Sequence, residues 1–298
     1  MTATVSELAA QVPWSDREVP PAGGRRLWRE LLGDRTALAG LVIVVLVTAV
    51  AVAAPLLAPH DPHAQDVVHR LQSPSSEHLL GTDNLGRDEL SRVIYGARVS
   101  VLTTFAVGAA ILLIGIVVGV VSGLAGGWLD GLLMRIVDVL LAFPSLLLAL
   151  AVAGTLGPGL TQLAIAMTAV WWVDYARLVR GLVLGVKGQP FVEAARALGL
   201  GPVRIAVRHV LPNIVAPVIV LATLQTARLL LALAALSFLG LGVTPPTAEW
   251  GAMLNDGKDF LATAPQLMVW PGLAITITAL GLNLLGDGLR DILDPALR

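Results

Sequence analysis

The stretch QPFVEAARALGLGPVRIAVRHVLPN, from Gln189 to Asn213, decides the fold that this sequence indicates. Pro190 suits the first turn of a helix, where its missing N–H breaks no hydrogen bond. The residues from Phe191 to Leu198 are good helix formers without a breaker, and Gly199 follows them as C-terminal glycines commonly do. The stretch therefore begins with a short helix that we expect to end in a tight turn at Gly199.

The second half of the stretch predicts another short helix, which Pro202 opens and Pro212 ends. Arg204 and Arg208 lie four residues apart and share one helical face. The opposite face is apolar and holds Val203, Val207 and Val210. Each helix has about ten residues, half of the roughly 20 that cross a bilayer, so neither is a span. Because basic loops between spans favour the cytoplasmic side, we expect this helix pair to project there and to dock on a soluble partner.

The composition indicates that most of the chain lies in a membrane. Of 298 residues, 56% are hydrophobic and only 14% are charged, whereas soluble domains average about 25% charged residues. The net charge of −1 gives no electrostatic basis for binding nucleic acid. Because the chain has no cysteine, disulfides, thiolate catalysis and cysteine metal sites are excluded.

Apolar runs predict six transmembrane helices, and hence an all-α integral membrane protein. The runs are Thr36–Pro59, Val99–Trp128, Ile136–Ala153, Leu160–Tyr175, Ile214–Leu236 and Gln266–Leu285. Arginines just before the first run predict a cytoplasmic N terminus, and an even number of spans returns the C terminus to the same side. We therefore divide the chain into a cytoplasmic tail (1–35), a first transmembrane helix with its extracytoplasmic loop (36–98), and a five-helix core (99–298) with a cytoplasmic loop at 189–213.

Local features add detail to these spans. Gly115, Gly119, Gly123 and Gly127 recur every four residues, a spacing that predicts close helix packing rather than a ligand site. Pro144 predicts a kink in the third span. A helix that starts near Asp83 is expected to lie along the outer interface before the second span, and 237–265 is expected to be an outer loop.

The spacing within the central stretch resembles the EAA loop of ABC importer permeases. Glu193-Ala194-Ala195 is followed by three residues, Gly199, nine residues and then His209-Val210-Leu211-Pro212. The general pattern prefers isoleucine where this chain has His209, and peptide-type permeases accept histidine there. The resemblance implies that this loop docks into a cleft on an ATP-hydrolysing subunit. The coupling residues that it implies are Glu193, Ala194, Ala195, Arg196, Gly199, Arg204, Leu211 and Pro212.

Further segments resemble dipeptide and oligopeptide permeases of the C type. They are HLLGTDNLGRDELSRVIYGARVS (His78–Ser100), SFLGLGVTPPTAEWGAML (Ser237–Leu254) and NLLGDGLRDILDPALR (Asn283–Arg298). In relatives an acidic residue commonly precedes the second of these segments. Here Leu233 occupies that place, and Arg228 lies about one turn earlier. We therefore expect an altered pore and place Arg228 and Asn283 on the translocation path.

The resemblance implies a function and a set of partners. The chain would have a MetI-like permease core in the plasma membrane of a bacterium, crossing it several times among lipid, and would import dipeptides or oligopeptides. Its partners would be a homologous second permease, one or two ABC ATPase subunits and an extracytoplasmic substrate-binding protein. No cofactor is expected on this chain, since ATP and Mg²⁺ would bind the ATPase subunits.

The residues suggest no enzymatic site and leave other transport functions open. No phosphate-binding Gly-x-x-x-x-Gly-Lys-Ser/Thr segment, Gly-x-Ser-x-Gly segment or His-Glu-x-x-His segment occurs, so we expect no catalysis by this chain. The outer histidines His60, His63, His69 and His78 are expected to form no metal site, because their loop is rich in proline and predicted to be flexible. A nickel or other small-solute permease is one alternative. An ion-coupled secondary transporter is another, and Arg228 is the clearest membrane charge that it could use.

Overall fold

The computed structural model describes residues 31–293. The secondary-structure elements within these residues are all helices. In chain order the helices are α1 (Arg35–Val52), α2 (Ala54–Leu57), α3 (Glu89–Ala125), α4 (Gly127–Leu141), α5 (Ser145–Leu156), α6 (Leu160–Lys187), α7 (Pro190–Ala197), α8 (Pro202–Ile205), α9 (Leu211–Phe238), α10 (Trp250–Gly257) and α11 (Gln266–Leu293). A π-helical turn, Ala206–Val210, joins α8 to α9, and short 3-10 turns occur at Val67–His69 and Lys258–Phe260. Most of the predicted N-terminal tail and the last five residues lie outside the described part.

Four helices of the described part are long and apolar enough to cross a membrane: α1, α3, the continuous helix Pro202–Phe238 and α11. The bent pair α4 and α5 could supply a fifth span. The remaining predicted span corresponds to α6, whose 28 residues include Asp174, Arg177, Arg180 and Lys187. The multi-pass helical architecture agrees with the sequence, whereas the count of six spans and the side of each terminus stay predictions.

The second predicted span starts earlier than expected. Asp88 caps α3 by accepting a hydrogen bond from the Ser91 N–H, and the helix then runs for 37 residues without a break. The separate interfacial helix expected before this span is therefore wrong. The segment has no proline, and Gly96 lets the indole of Trp250 approach, since an added Cβ would lie 2.7 Å from the Trp250 ring.

The third predicted span is broken rather than kinked. Helices α4 and α5 meet at 89°, with Pro144 between them as the residue that precedes α5. A proline there has no N–H to continue the ladder of α4, and its fixed φ suits the start of a new helix. The long expected span is thus replaced by helices of 15 and 12 residues.

The expected outer loop at 237–265 contains a helix. Glu249 caps α10 by accepting from the N–H groups of Gly251 and Ala252, each at 2.9 Å. Trp250 is 2% exposed, and its indole N–H donates to the Val93 carbonyl at 2.9 Å. These contacts hold α10 against the start of α3, so the two outer segments form one unit.

Close helix contacts through glycine organise the middle of the bundle. Helix α3 packs on α6 where an added Cβ at Gly115 would collide with Tyr175, and one at Gly119 would lie 2.7 Å from the Ala176 carbonyl. An added Cβ at Gly123 would lie 2.6 Å from Val183. The fourth glycine of the sequence pattern, Gly127, is not part of this contact: it begins α4 with φ +59° and has open space around it.

Helices α1 and α11 form a second close contact that sequence analysis missed. An added Cβ at Gly40 would lie 2.8 Å from the Gly281 carbonyl, and one at Gly288 would lie 2.7 Å from the Ala37 Cα. Gly281 and Gly288 of α11 are seven residues apart, a spacing that also returns to one helical face. That spacing could have revealed the contact.

Candidate coupling surface and translocation path

Helix α7 ends as the sequence predicted, in a turn that only glycine adopts without strain. Gly199 has φ +79°, in the left-handed region where a side chain is disfavoured. Its N–H donates to the Arg196 carbonyl at 2.9 Å, and the Leu200 N–H donates to the Ala195 carbonyl at 3.2 Å. This pair of bonds is the Schellman arrangement, which satisfies the last carbonyls of a helix and fixes the exit of the chain.

The coupling segment, which we define as residues 189–213, is seated on an apolar core. Val192 and Ala195 are the buried side chains of α7. Val192 joins a cluster with Val179 and Val183 of α6 and with Ile205, Val210 and Ile214 from the following helix. His209 also contributes, because its ring lies 6.5 Å from the ring of Phe191. The segment is therefore packed on α6 and α9 rather than loosely attached to them.

The second arm of the coupling segment, from Pro202 to Asn213, differs from the prediction in two respects. Pro212 does not end a helix; it lies in the first turn of α9, and the helix continues from Pro202 to Phe238. The π-helical turn explains this, since the Leu211 N–H bonds to the Ala206 carbonyl and the helix widens just before a proline. A widened turn relieves the clash that a proline ring makes with the preceding turn of an α-helix.

The faces of this arm also differ from the prediction. Val203 and Val207 are 75% and 61% exposed, on the same side as the exposed residues Arg204 and Arg208. The buried side consists of Ile205, Ala206 and Val210. Of the three valines predicted to lie opposite the arginines, only Val210 is therefore on the buried side.

The exposed surface of the coupling segment combines apolar groups with unpaired charges. Phe191, Leu198, Val203 and Val207 are exposed apolar residues. Glu193, Arg196, Arg204 and Arg208 are exposed and take part in no ion pair or side-chain hydrogen bond within residues 31–293. Ala194 is exposed beside them, whereas Leu211 and Pro212 belong to the base of the segment, in the first turn of α9. Such a mixed, rigid surface can bind another protein.

A polar chain crosses between two long helices on the predicted path. The Arg228 guanidinium donates to Gln225 Oε1 at 3.3 Å, and Gln225 Nε2 donates to Asp174 Oδ2 at 3.3 Å. Arg228 and Asp174 are exposed on the surface of the chain, whereas Gln225 is 7% exposed. Arg228 lies ten residues before Phe238, the end of α9, a distance of about 15 Å along the helix. Sequence analysis named Arg228 but missed its link to Asp174.

The other predicted path residue, Asn283, takes no part in the hydrogen bonds that link Arg228, Gln225 and Asp174. It is exposed on α11, and no hydrogen bond joins it to Arg228 among the described residues. Leu233, at the position where relatives carry an acid, is 6% exposed and belongs to the apolar core. Arg228, five residues away, is thus the charged residue of α9 nearest to Leu233.

Ion pairs fasten α4 to α6 below the glycine contact. Asp130 accepts from Arg180 Nε at 2.6 Å and Nη2 at 2.7 Å, and Asp138 pairs with Arg177. The Lys187 ammonium donates to the Leu124 carbonyl near the end of α3 at 2.8 Å. These pairs could not be predicted from the sequence, because the partners are about 40 to 60 residues apart.

The predicted extracytoplasmic end holds a set of charged residues, which we call the outer charge cluster: the buried Asp83, Arg87, Glu89 and Arg92, and the half-buried Asp256. Asp83 pairs with Arg87 at 2.5 Å and with Arg92 at 3.4 Å, and all three are at most 4% exposed. Both arginines also lie within 4.0 Å of the Asp256 carboxylate. Burial raises the pKa of Asp256, although Arg92 and Arg87 oppose that shift.

The outer histidines separate into two groups. His78 Nδ1 lies 2.9 Å from Asp88 Oδ1, and His60 Nδ1 lies 3.7 Å from Asp88 Oδ2. Burial acts to raise the pKa of Asp88, but hydrogen bonds from Ser91 and His78 outweigh it and leave that pKa below its usual value. His69 pairs instead with the exposed Asp66, and His63 is exposed away from both groups. The loop is ordered by these bonds, contrary to the flexible loop that the sequence suggested.

Comparisons with known proteins identify the family. Residues 115–298 match the binding-protein-dependent transport system inner membrane component, and residues 24–74 match the N-terminal TM domain of oligopeptide transport permease C. A putative peptide transport system permease protein of Brucella abortus is 41% identical over 99% of both chains. The dipeptide transport system permease protein DppC of Alkalihalophilus pseudofirmus is 41% identical over 96% of this chain and 94% of its own.

A relative named for another substrate is also similar to this chain. The nickel transport system permease protein NikC of Escherichia coli is 44% identical over 86% of this chain and 93% of its own. The family is one of transport permeases, whose systems include ATPase and substrate-binding partners. The matches cover the coupling segment, the polar chain and the outer charge cluster alike. This chain therefore belongs to the binding-protein-dependent inner-membrane permeases and is a multi-pass permease subunit of a bacterial ABC importer.

Proposed function

We propose that this permease carries dipeptides or oligopeptides through the membrane and that its coupling segment receives the motion of an ATPase subunit. The peptide substrate is supported by the names of the relatives that align along almost the whole chain. ATP and Mg²⁺ would be bound by one or two ATPase subunits, since this sequence has no phosphate-binding loop. A homologous second permease would complete the path, and a substrate-binding protein would deliver the peptide.

The observation that carries the coupling proposal is the geometry of α7. Its far side is exposed, whereas Val192 packs in the core shared with α6 and α9, and Ala195 is also buried. A force on α7 would therefore be passed to the two helices that also hold Asp174 and Arg228. The continuous helix from Pro202 to Phe238 connects the coupling segment directly to Arg228. This connection supports alternating access driven by ATP.

A matched pair of glycine variants tests the coupling role. Gly199 has φ +79° whereas Gly201 has φ −68°, and neither would bring an added Cβ within 4 Å of another atom. Gly199→Val should therefore strain the turn by roughly 1–2 kcal/mol or more, and Gly201→Val should not. We expect Gly199→Val and Glu193→Lys to reach the membrane but to lose ATPase docking or ATP-driven uptake.

Reconstituted vesicles give the measurement, with ATPase binding, ATP turnover and uptake of a labelled dipeptide followed together. Gly201→Val is the control and should resemble the wild type. Full ATP-driven uptake by both Gly199→Val and Glu193→Lys would refute the coupling role.

We propose that Arg228 faces the translocation path or the second permease. A charge at the centre of a span costs about 2.5–3.5 kcal/mol on insertion scales unless it is paired or hydrated. Gln225 accepts one hydrogen bond from Arg228, and Arg228 is otherwise exposed in the described part of the chain, so water or another chain should cover this side. Asn283, exposed on α11, is proposed for the same path. Arg228→Leu should lower uptake without loss of assembly, and Arg290→Leu, another exposed arginine, is the control.

The nickel relative supports a second candidate, in which the cargo is nickel or another small solute. Uptake of radioactive nickel and of a labelled dipeptide in the same vesicles would separate the two candidates. Import that needs an ion gradient and proceeds without an ATPase subunit would instead indicate a secondary transporter, which family membership disfavours.

A further inference from the structure

Two imidazoles and one carboxylate converge at the predicted extracytoplasmic end, away from the coupling segment. His60 follows α2, His78 lies in the next loop, and Asp88 caps α3. One possible ligand atom from each lies within 4.8 Å of those from the other two. The centroids of the two imidazole rings are 5.1 Å apart. Three separate parts of the chain thus bring metal-binding atoms to one place.

Hydrogen bonds hold these residues in position. The hydroxyl and N–H of Ser91 donate to Asp88 Oδ2 at 2.7 and 2.8 Å. The His60 N–H donates to the same Ser91 hydroxyl at 3.0 Å, and the His78 N–H donates to Ser75 Oγ at 3.0 Å. The backbone at each position is therefore fixed before any ligand binds, which lowers the cost of ordering a site.

The charge balance at this place favours a cation. Arg87 and Arg92 form ion pairs with Asp83. Asp88 forms no ion pair with an arginine or lysine within residues 31–293. Its ion-pair contacts in that part of the chain are the two histidines. The Asp88 side chain is 2% exposed, whereas that of His60 is 39% exposed, so one side of the cluster opens to solvent.

We propose that His60, His78 and Asp88 bind a divalent transition-metal ion of the Zn²⁺ or Ni²⁺ type. Imidazole nitrogen with carboxylate oxygen suits such ions, whereas Mg²⁺ and Ca²⁺ prefer oxygen ligands alone. An ion would replace the hydrogen bond between His78 Nδ1 and Asp88 with metal bonds of about 2.0–2.2 Å, a change within the reach of side-chain rotation. The bound ion would tie the segment after α2 to the start of α3, with its remaining coordination positions open to solvent.

Metal binding by the intact transporter tests this site. The complex is purified through a tag without histidine, stripped with a chelator, and dialysed against ZnCl₂ or NiCl₂ in excess MgCl₂, with bound metal counted by elemental analysis. The wild type should bind one ion more per copy of this chain than His60→Ala, or bind it at least tenfold more tightly. His60 is the best single change, because its side chain makes no hydrogen bond within the described residues.

The same loop supplies the matched control. A double variant, His63→Ala with His69→Ala, removes two exposed histidines and should keep the ion. Asp88→Asn should bind at least tenfold more weakly, although asparagine can still cap α3. Equal zinc and nickel binding by the wild type and His60→Ala would overturn the proposal, as would loss of the ion from the double control or its displacement by Mg²⁺.

Discussion

The outer charge cluster and the coupling segment differ in the burial and pairing of their charged side chains. At the outer charge cluster, Asp83, Arg87 and Arg92 are at most 4% exposed and pair with one another. In the coupling segment, Arg204 and Arg208 are exposed, and within residues 31–293 they have no acidic partner. Asp83, Arg87 and Arg92 are thus paired within the chain. Arg204 and Arg208 are left exposed, as the proposed docking of an ATPase subunit requires.

This difference predicts where substitutions damage the chain itself and where they damage only its partnerships. Removing one member of a buried ion pair costs about 3–5 kcal/mol, since the remaining charge is left unpaired. Surface substitutions away from special features usually stay within about 0.5 kcal/mol. The free energy of unfolding should therefore fall steeply for substitutions of the paired outer residues and hardly change for substitutions of the exposed charged side chains of the coupling segment.

Asp83→Ala should have the largest effect on stability. It removes the partner of both buried arginines and the acceptor of the Leu85 and Arg87 N–H groups. We expect a loss of about 3–5 kcal/mol, seen as a lower melting temperature of the purified complex and less protein in the membrane. Glu77→Gln, an exposed acid of the same loop, is the control. A melting temperature equal to that of the control would mean that the outer cluster does not stabilise the chain.

Gly119→Val should have an intermediate effect, because it disturbs the contact of α3 with α6 that lies between the two ends. Its Cβ would lie 2.7 Å from the Ala176 carbonyl and from Val179 Cβ, and neither can move without the α6 backbone. Overpacking of this kind typically costs about 1–3 kcal/mol. Gly181→Val, on α6 with open space around it, is the control. Equal melting temperatures of the two variants would argue against a tight contact.

Arg204→Ala combined with Arg208→Ala should have the smallest effect on stability, within about 0.5 kcal/mol, yet it should weaken ATPase binding. Both side chains are exposed and unpaired in the described part of the chain. Binding of the ATPase subunit at several salt concentrations measures this, because a charge contact weakens as salt rises. Unchanged affinity at low salt would show that these arginines do not contact the ATPase.

Local chemistry explains which parts the sequence predicted. The turn after α7 follows from Gly199 and a run of helix formers, which act over a few residues. The apolar runs that line up with the long helices follow in the same way from the composition of each run. These features depend on neighbours in the sequence, so the sequence alone was enough.

The features that the sequence did not predict depend on distant neighbours. Asp256 meets Arg87 and Arg92 only because α10 folds back on α3. Pro212 is predicted to end a helix. The helix instead continues through Pro212 by a π-helical turn, which the sequence pattern does not indicate. His60 and His78 seemed to lie in a flexible loop, whereas Ser91 and Asp88 hold them together.

The most direct test of the contrast between the two ends is amide hydrogen exchange of the permease with and without its ATPase subunit. We predict that peptides from 189–213 gain protection when the ATPase binds, whereas peptides from 78–92 are already protected and do not change. Binding of the ATPase without any new protection in 189–213 would contradict the account, because the coupling segment would then not be the docking surface.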